Sequence, residues 1–325
     1  MAKRMDVGTS HHTPIKHAIM CEFVGKEVRA ANSLGWFERL VWIDLTAGNA
    51  VATDPDAWSH SCSPGILASL AAFSDKPVIV DLYEKNPDTY AVLLDNLAAN
   101  LPGLGYERFA EHKWRIGATE VRAWNGDGRE AGVDHIRKRD AVLVLNDPNG
   151  ITEWAMHRRF TAVLDAKAKG IRTLSCVGFN VAGIKRAPFQ RDQHAPRTDS
   201  VSARSEWYEL IGSVTDFLPE RLDLMLAGFT RDSSQWAYLF SSPKVWRDKG
   251  EEEEVVAKAF TATGEVHDYE FAWFKRDREK FNRLVDRRIL TKAELAELEN
   301  PALPFDMSGD ENAARHPLTA HTAST

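Results

Sequence analysis

The stretch Arg39-Leu40-Val41-Trp42-Ile43-Asp44-Leu45-Thr46-Ala47-Gly48-Asn49 decides the fold. Leu40 to Ile43 are apolar without alternation, which marks a strand buried on both faces, as in a parallel sheet. Asp44 ends the run, and the small residues Ala47 and Gly48 then let the backbone pass close to a ligand. Upstream, Ile19, Phe23, Val24, Val28 and Ala31 fall at helical spacing and predict a helix over 15–34 that stops at Gly35. Residues 1–14 are polar and are expected to be a flexible N-terminus.

Downstream, strand and helix patterns alternate. Residues 50–62 read as a loop, and Ser63-Pro64-Gly65 opens a helix through Phe73, with Ser and Pro in favoured first-turn positions. Pro77 to Tyr83 is a second buried strand closed by Glu84-Lys85-Asn86-Pro87, and a helix runs from Asp88 to Asn100. Glu120 to Trp124 is a third strand, ending at Asn125-Gly126-Asp127-Gly128. Ala141 to Leu145 is a fourth, ending at Asn146-Asp147-Pro148-Asn149-Gly150. A helix over 152–168, a strand over 171–179 and a helix over 205–217 follow. Leu222 to Phe229 and Trp236 to Phe240 then form an antiparallel hairpin, because their connection is short. This order specifies an α/β fold with a mainly parallel sheet, helices on both faces and a C-terminal antiparallel hairpin.

After Pro243 the chain becomes highly charged, beginning with Glu251 to Glu254. Residues 268–299 are read as two charged helices. The expected organisation is a main domain over 15–245, a charged helical extension over 246–300 and a disordered tail over 301–325.

In open parallel sheets, ligands bind beyond the carboxyl ends of the strands, where strand order reverses. Four chemically suggestive features fall at four such ends. Asp44, Ala47, Gly48 and Asn49 form a small-residue turn behind an acid. Glu84 is placed to accept hydrogen bonds from both hydroxyls of a ribose. Asp127, in a glycine-flanked turn, can accept an adenine N6 amino group. Asn146, Asp147 and Pro148 put an amide, a carboxylate and a carbonyl on a rigid turn, which suits orientation and partial deprotonation of an amine. Taken singly, each of the first three also reads as an ordinary turn or helix-capping residue. Their coincidence at successive strand ends favours the site.

These residues resemble class I S-adenosylmethionine-dependent methyltransferases, and more narrowly the three-Cys-motif partner family. The resemblance covers roughly residues 15–245. It rests on Ile15-Lys16-His17, Ile43 to Asn49, Cys62-Ser63-Pro64-Gly65, Glu84-Lys85-Asn86-Pro87 and Asp147-Pro148-Asn149-Gly150. It implies a Rossmann-like fold, S-adenosylmethionine as cofactor and methyl transfer. The cysteines of that family's name belong to its partner protein, not to this chain. Two departures stand out. Methyltransferases commonly carry D/E-x-x-x-G-x-G at the first turn, and here Ala50 replaces the second glycine. Nucleic-acid amino-methyltransferases follow N/D-P-P with an aromatic for the flipped base, whereas here Asn149 follows a single Pro, Pro148. Stacking then needs another ring, such as Trp154, Phe179 or Phe189.

For the acceptor, Asn149, Asn180, Lys185, Arg186 and Arg191 mix positive charge with amides and can follow a phosphate backbone. Arg137-Lys138-Arg139 and His157-Arg158-Arg159 either extend a basic face or are solvated surface. The net charge of −6 excludes a uniformly basic coat. The leading expectation is therefore methylation of a nucleic acid. The alternatives are a small-molecule or protein acceptor, or an accessory subunit bound to a partner protein. The absence of G-x-G-x-x-G after the first strand argues against a nicotinamide enzyme. Cys21, Cys62 and Cys176 are far apart, which gives no metal site and fits a reducing compartment. With no signal-peptide pattern and no apolar run of about 18 residues, a soluble cytoplasmic protein is expected.

Overall fold

A computed structural model describes residues 13–35, 37–52, 57–145, 172–174, 179–180, 220, 222–231, 234–243, 248–264, 266, 268–289 and 295–296. The predicted first helix is α1 (Thr13–Ser33), whose apolar stripe of Ile15, Ile19, Phe23, Val24 and Val28 is buried. β1 (Arg39–Asp44) follows, buried from Leu40 onward. The segment read as a loop contains a short helix, α2 (Trp58–Ser61), which leads into α3 (Ser63–Ala72). The two helices meet closely, since a Cβ on Gly65 would lie 2.2 Å from the Trp58 carbonyl oxygen.

β2 (Val78–Glu84) precedes α4 (Pro87–Asn100). Asn86 caps α4, its side chain accepting from the N–H groups of Asp88 and Thr89, and Pro87 fills the first turn where no donor is needed. A hairpin not anticipated from the sequence comes next, β3 (Glu107–Ala110) and β4 (Lys113–Ile116), antiparallel to each other. It joins the sheet through β5 (Thr119–Asn125). β3 is exposed along its length, and its Glu107 and Arg108 discourage further pairing at that edge.

β6 (Asp140–Leu145) and β7 (Arg172–Leu174) are parallel neighbours. The strand expected over 171–179 is divided: β7 pairs near Thr173 with a later strand, β10 (Ser234–Pro243), and β8 (Phe179–Asn180) pairs with β10 further on. The hairpin of β9 (Leu222–Arg231) and β10 (Ser234–Pro243) is longer than predicted and antiparallel.

The charged extension corrects the sequence reading. α5 (Glu251–Thr263) is a helix, but Asp268–Trp273 forms a strand, β11, and only α6 (Arg278–Ile289) is helical beyond it. β11 adds antiparallel to β9. Tyr269, Phe271 and Trp273 alternate with Asp268, Glu270 and Ala272, so the period is two.

The strand order is β11-β9-β10-β7-β6-β1-β2-β5-β4-β3, with β1, β2, β5, β6 and β7 parallel. The run β5-β2-β1-β6-β7 followed by an antiparallel hairpin is a Rossmann-like sheet. Order reverses between β1 and β6, which is the expected place for a ligand.

Alternation along the strands builds two cores. Leu40 and Trp42 of β1, with Val78, Val80 and Leu82 of β2, pack with residues of α1, α3, α4 and α5. Val41, Ile43 and Leu45 face the other way, against Val142, Val144, Ala131 and Ile136. Fully burying each such aliphatic side chain is worth about 1.5–3 kcal/mol. Among the described residues, no helix is long and apolar enough to cross a membrane.

Candidate functional site

Strand register brings the sequence-predicted acids to one edge. Asp44 ends β1 opposite Leu82 of β2 and Leu145 of β6. Glu84 ends β2 opposite Asn125, the last residue of β5. Asp127 follows two residues later, in a turn tied back to β2, since the Gly126 N–H donates to the Glu84 carbonyl at 3.1 Å. Three of the four predicted features therefore lie at adjacent strand ends around the switch point. The fourth, Asn146 to Gly150, follows Leu145 and lies outside the described residues.

The turns are also joined to one another. The Leu45 N–H donates to the Leu145 carbonyl and the Ala47 N–H to the Tyr83 carbonyl, each at 3.0 Å. A Cβ on Gly128 would approach the Leu45 carbonyl oxygen to 2.4 Å, so only glycine lets the turn after β5 lie against the turn after β1.

Asp44 is buried, and its Oδ1 accepts from the Thr46 N–H at 3.0 Å, which holds the start of the turn. The chain reverses through Gly48 at φ +65°, with open space above its Cα. Ala50, in the position of the absent second glycine, has φ 54° and takes the left-handed conformation itself. Glu84 is half-buried, and one carboxylate oxygen accepts from the Asn86 N–H at 2.8 Å. Among the described residues its other oxygen makes no hydrogen bond, which leaves an acceptor at the edge. These features fit a nucleoside with a charged tail: a strand-end acid for hydroxyls, an open glycine turn for close approach and a buried acid behind it.

Cys62 caps α3, its sulfur accepting from the Gly65 N–H at 3.4 Å. Burial, with Asp44's negative charge adding to it and the Gly65 hydrogen bond opposing, pushes the thiol up to about 12. It stays protonated and is a poor nucleophile. Burial likewise raises Cys21 to about 11, and Cys176 lies outside the described residues. His17 is also buried; burial and then the Lys16 charge lower it to about 3, so the imidazole is neutral within α1. The described residues contain no group of three or more metal-ligating side chains.

Two parts of the expected acceptor surface can be located. Asn180 sits in β8 opposite Trp236, on the carboxyl side of β7. Arg137-Lys138-Arg139 lies at the other edge, just before β6 begins, with Arg139 paired to Glu38. That cluster does not extend a basic face around the strand ends. Lys185, Arg186, Arg191 and the cluster at 157–159 lie outside the described residues.

Sequence reasoning missed two polar groups that hold the glycine turn. The Asn96 amide, on α4, donates to the Asn49 carbonyl at 2.9 Å. The Trp58 indole N–H, on α2, donates to the Ala50 carbonyl at 3.0 Å. Neither has a local signal, because an Asn inside a helix and a Trp beside one both read as packing.

No family model matches the chain, and no curated protein does. Solved structures with a similar arrangement include protein LPL1258 from Legionella pneumophila str. Philadelphia 1. That likeness has 10% identity over 82% of this chain and 97% of that one, with a TM-score of 0.46. TrmN from Thermus thermophilus has 14% identity over 70% of this chain and 52% of its own, with a TM-score of 0.34. An O-methyltransferase from Bacillus cereus in complex with SAH has 14% identity over 72% of this chain and 82% of its own, with a TM-score of 0.35. These likenesses concern the fold.

Proposed function

We propose that this chain is an S-adenosylmethionine-dependent methyltransferase acting on a nucleic acid, at an exocyclic base nitrogen. The observation that carries the reading is the register. Asp44, Glu84 and the Asp127 turn meet at neighbouring carboxyl ends, beside the point where strand order reverses. When bound, S-adenosylmethionine supplies a methyl group made electrophilic by its sulfonium. Glu84 accepts from the ribose hydroxyls and Asp127 from the adenine amino group. Asp44, Ala47, Gly48 and Asn49 hold the methionine portion, with Gly48 admitting the ligand close to the backbone.

For the acceptor, Asn146, Asp147 and the Pro148 carbonyl orient the amine by accepting from its N–H groups, which directs the nitrogen lone pair toward the methyl, and the proton released as the N–C bond forms passes to the Asp147 carboxylate and on to water. Their place in the chain, directly after Leu145, supports this role. Asn149, Asn180, Lys185, Arg186 and Arg191 follow the acceptor's phosphates, and the chemistry of these side chains favours nucleic acid over a small molecule. The placement of Asn180 beyond β7 is consistent with that path.

The test is incubation with methyl-labelled donor and a panel of DNA, RNA and protein. Label is expected in nucleic acid and lost in Asp147→Ala, with donor binding retained. Label in protein alone overturns the acceptor. Donor binding without label in any acceptor favours an accessory subunit.

A further inference from the structure

The turn after β1 poses a physical problem. Its spacing from Asp44 puts Gly48 and Ala50 where two glycines ordinarily stand, and both residues have positive φ. Glycine takes this conformation freely, but an L-residue with a Cβ is disfavoured by about 1–2 kcal/mol. Ala50 therefore keeps the turn in shape only if other contacts hold it. Its methyl group is buried, at 3% exposure, and its carbonyl is captured by the Trp58 indole. One residue earlier, the Asn49 carbonyl is captured by Asn96. Asn49 closes the turn locally as well, its Oδ1 accepting from the Val51 N–H at 3.2 Å. Two donors from separate helices thus grip two successive carbonyls.

We infer that Asn96 and Trp58 are positioning residues for the cofactor: in this chain their two hydrogen bonds replace the second glycine in shaping the turn that receives the methionine end of S-adenosylmethionine. The inference rests on the donor-binding reading above. Both side chains act through the backbone and neither touches the ligand. Their positions follow from the fold, since α4 packs against β2 and β5, while α2 packs against α3. Free of these donors, the two carbonyls turn toward solvent and Ala50 relaxes to negative φ, which displaces Gly48 and Asn49 together. A displacement near 1 Å in a positioning element is worth up to about 100-fold in function.

The experiment is calorimetric titration of S-adenosylmethionine into the full chain and its variants, at a temperature where urea melts show each one folded. Asn96→Leu keeps the size of the side chain and removes the donor. Trp58→Phe keeps an aromatic ring and removes the N–H together with part of the indole's bulk, so it carries the test if Asn96→Leu does not fold. Asn100→Leu is the control: it removes the same amide one turn along α4, where the group donates only to the Asn96 carbonyl. Each of the first two variants is expected to weaken binding at least tenfold, and Asn100→Leu to leave it unchanged. Asn96→Leu and Gly48→Ala are expected to be non-additive on affinity, because both act on one turn; additive effects would mean that Asn96 does not act through that turn. Wild-type affinity in both Asn96→Leu and Trp58→Phe overturns the inference and leaves the donor site standing. A wild-type chain that does not bind the cofactor overturns the donor reading, and this inference with it.

Discussion

Gly128 lies against Leu45, so close that a Cβ at residue 128 would come within 2.4 Å of the Leu45 carbonyl oxygen and 2.8 Å of its Cβ. The contact locks the turn after β5 to the turn after β1, and these turns carry Asp127 and Asp44. Backbone cannot retreat as a flexible side chain can. Gly128→Ala is expected to destabilise the fold by about 1–3 kcal/mol, the usual range for overpacking. It should also weaken S-adenosylmethionine binding, because the two turns are forced apart. Urea denaturation and calorimetry on the same variant check both; unchanged values in both deny the coupling.

Ala50 gives a second prediction, on stability alone. Replacing it with glycine removes left-handed strain but loses a buried methyl, worth about 0.8 kcal/mol, and loosens the unfolded chain by a similar amount. Ala50→Gly is therefore expected within about 1 kcal/mol of wild type. Ala50→Val puts a β-branched residue at φ 54° and is expected to cost more than about 2 kcal/mol. Equal melting of the two variants rules out a left-handed residue 50.

Arg39 and Asp140 form a fork at the amino ends of β1 and β6, with Nε donating to Oδ1 at 3.1 Å and Nη2 to Oδ2. Arg39 also donates to the His135 carbonyl at 2.7 Å, and Asp140 accepts from the Arg137 N–H at 2.7 Å. Asp140 is 1% exposed. Asp140→Ala leaves a largely buried guanidinium without its carboxylate, and removing one partner of a buried pair typically costs about 3–5 kcal/mol. A loss below about 1 kcal/mol in urea melts would mean that water solvates this pair.

His17 predicts an acid limb in the stability profile. Its pKa falls from 6.5 to about 3 on folding, through burial and then the charge of Lys16. The unfolded chain therefore binds the extra proton first. His17's contribution is fully present above pH 6.5 and is lost as pH falls toward 3, at up to about 1.4 kcal/mol per pH unit. His17→Gln is expected to be flatter over that window by up to one proton. Parallel profiles for the two proteins contradict a buried neutral imidazole.

The parallel strands and their acids were legible because burial on both faces leaves a run such as Leu40 to Ile43 unbroken, and a polar residue at its end marks the sheet edge. β11 was misread because the charges around Phe271 and Trp273 obscured a two-residue alternation. The β3–β4 hairpin was missed because its strands are four residues long and turn through Glu111 and His112, without glycine or asparagine. At the site, Asp44 and Glu84 announce themselves by position, whereas the left-handed Ala50 does not, since alanine carries no local preference for that conformation. Asn96 and Trp58 reach the turn only through tertiary packing, across 47 and 8 residues of chain respectively.

The most direct test of one adenosyl cleft at the ends of β1, β2 and β5 is calorimetric titration of S-adenosylhomocysteine into wild type, Glu84→Ala and Asp44→Ala. The account predicts one site per chain in wild type, with affinity reduced at least tenfold in each variant and the urea melt of Glu84→Ala close to wild type. Absence of binding in wild type, or equal affinity in Glu84→Ala, would contradict it.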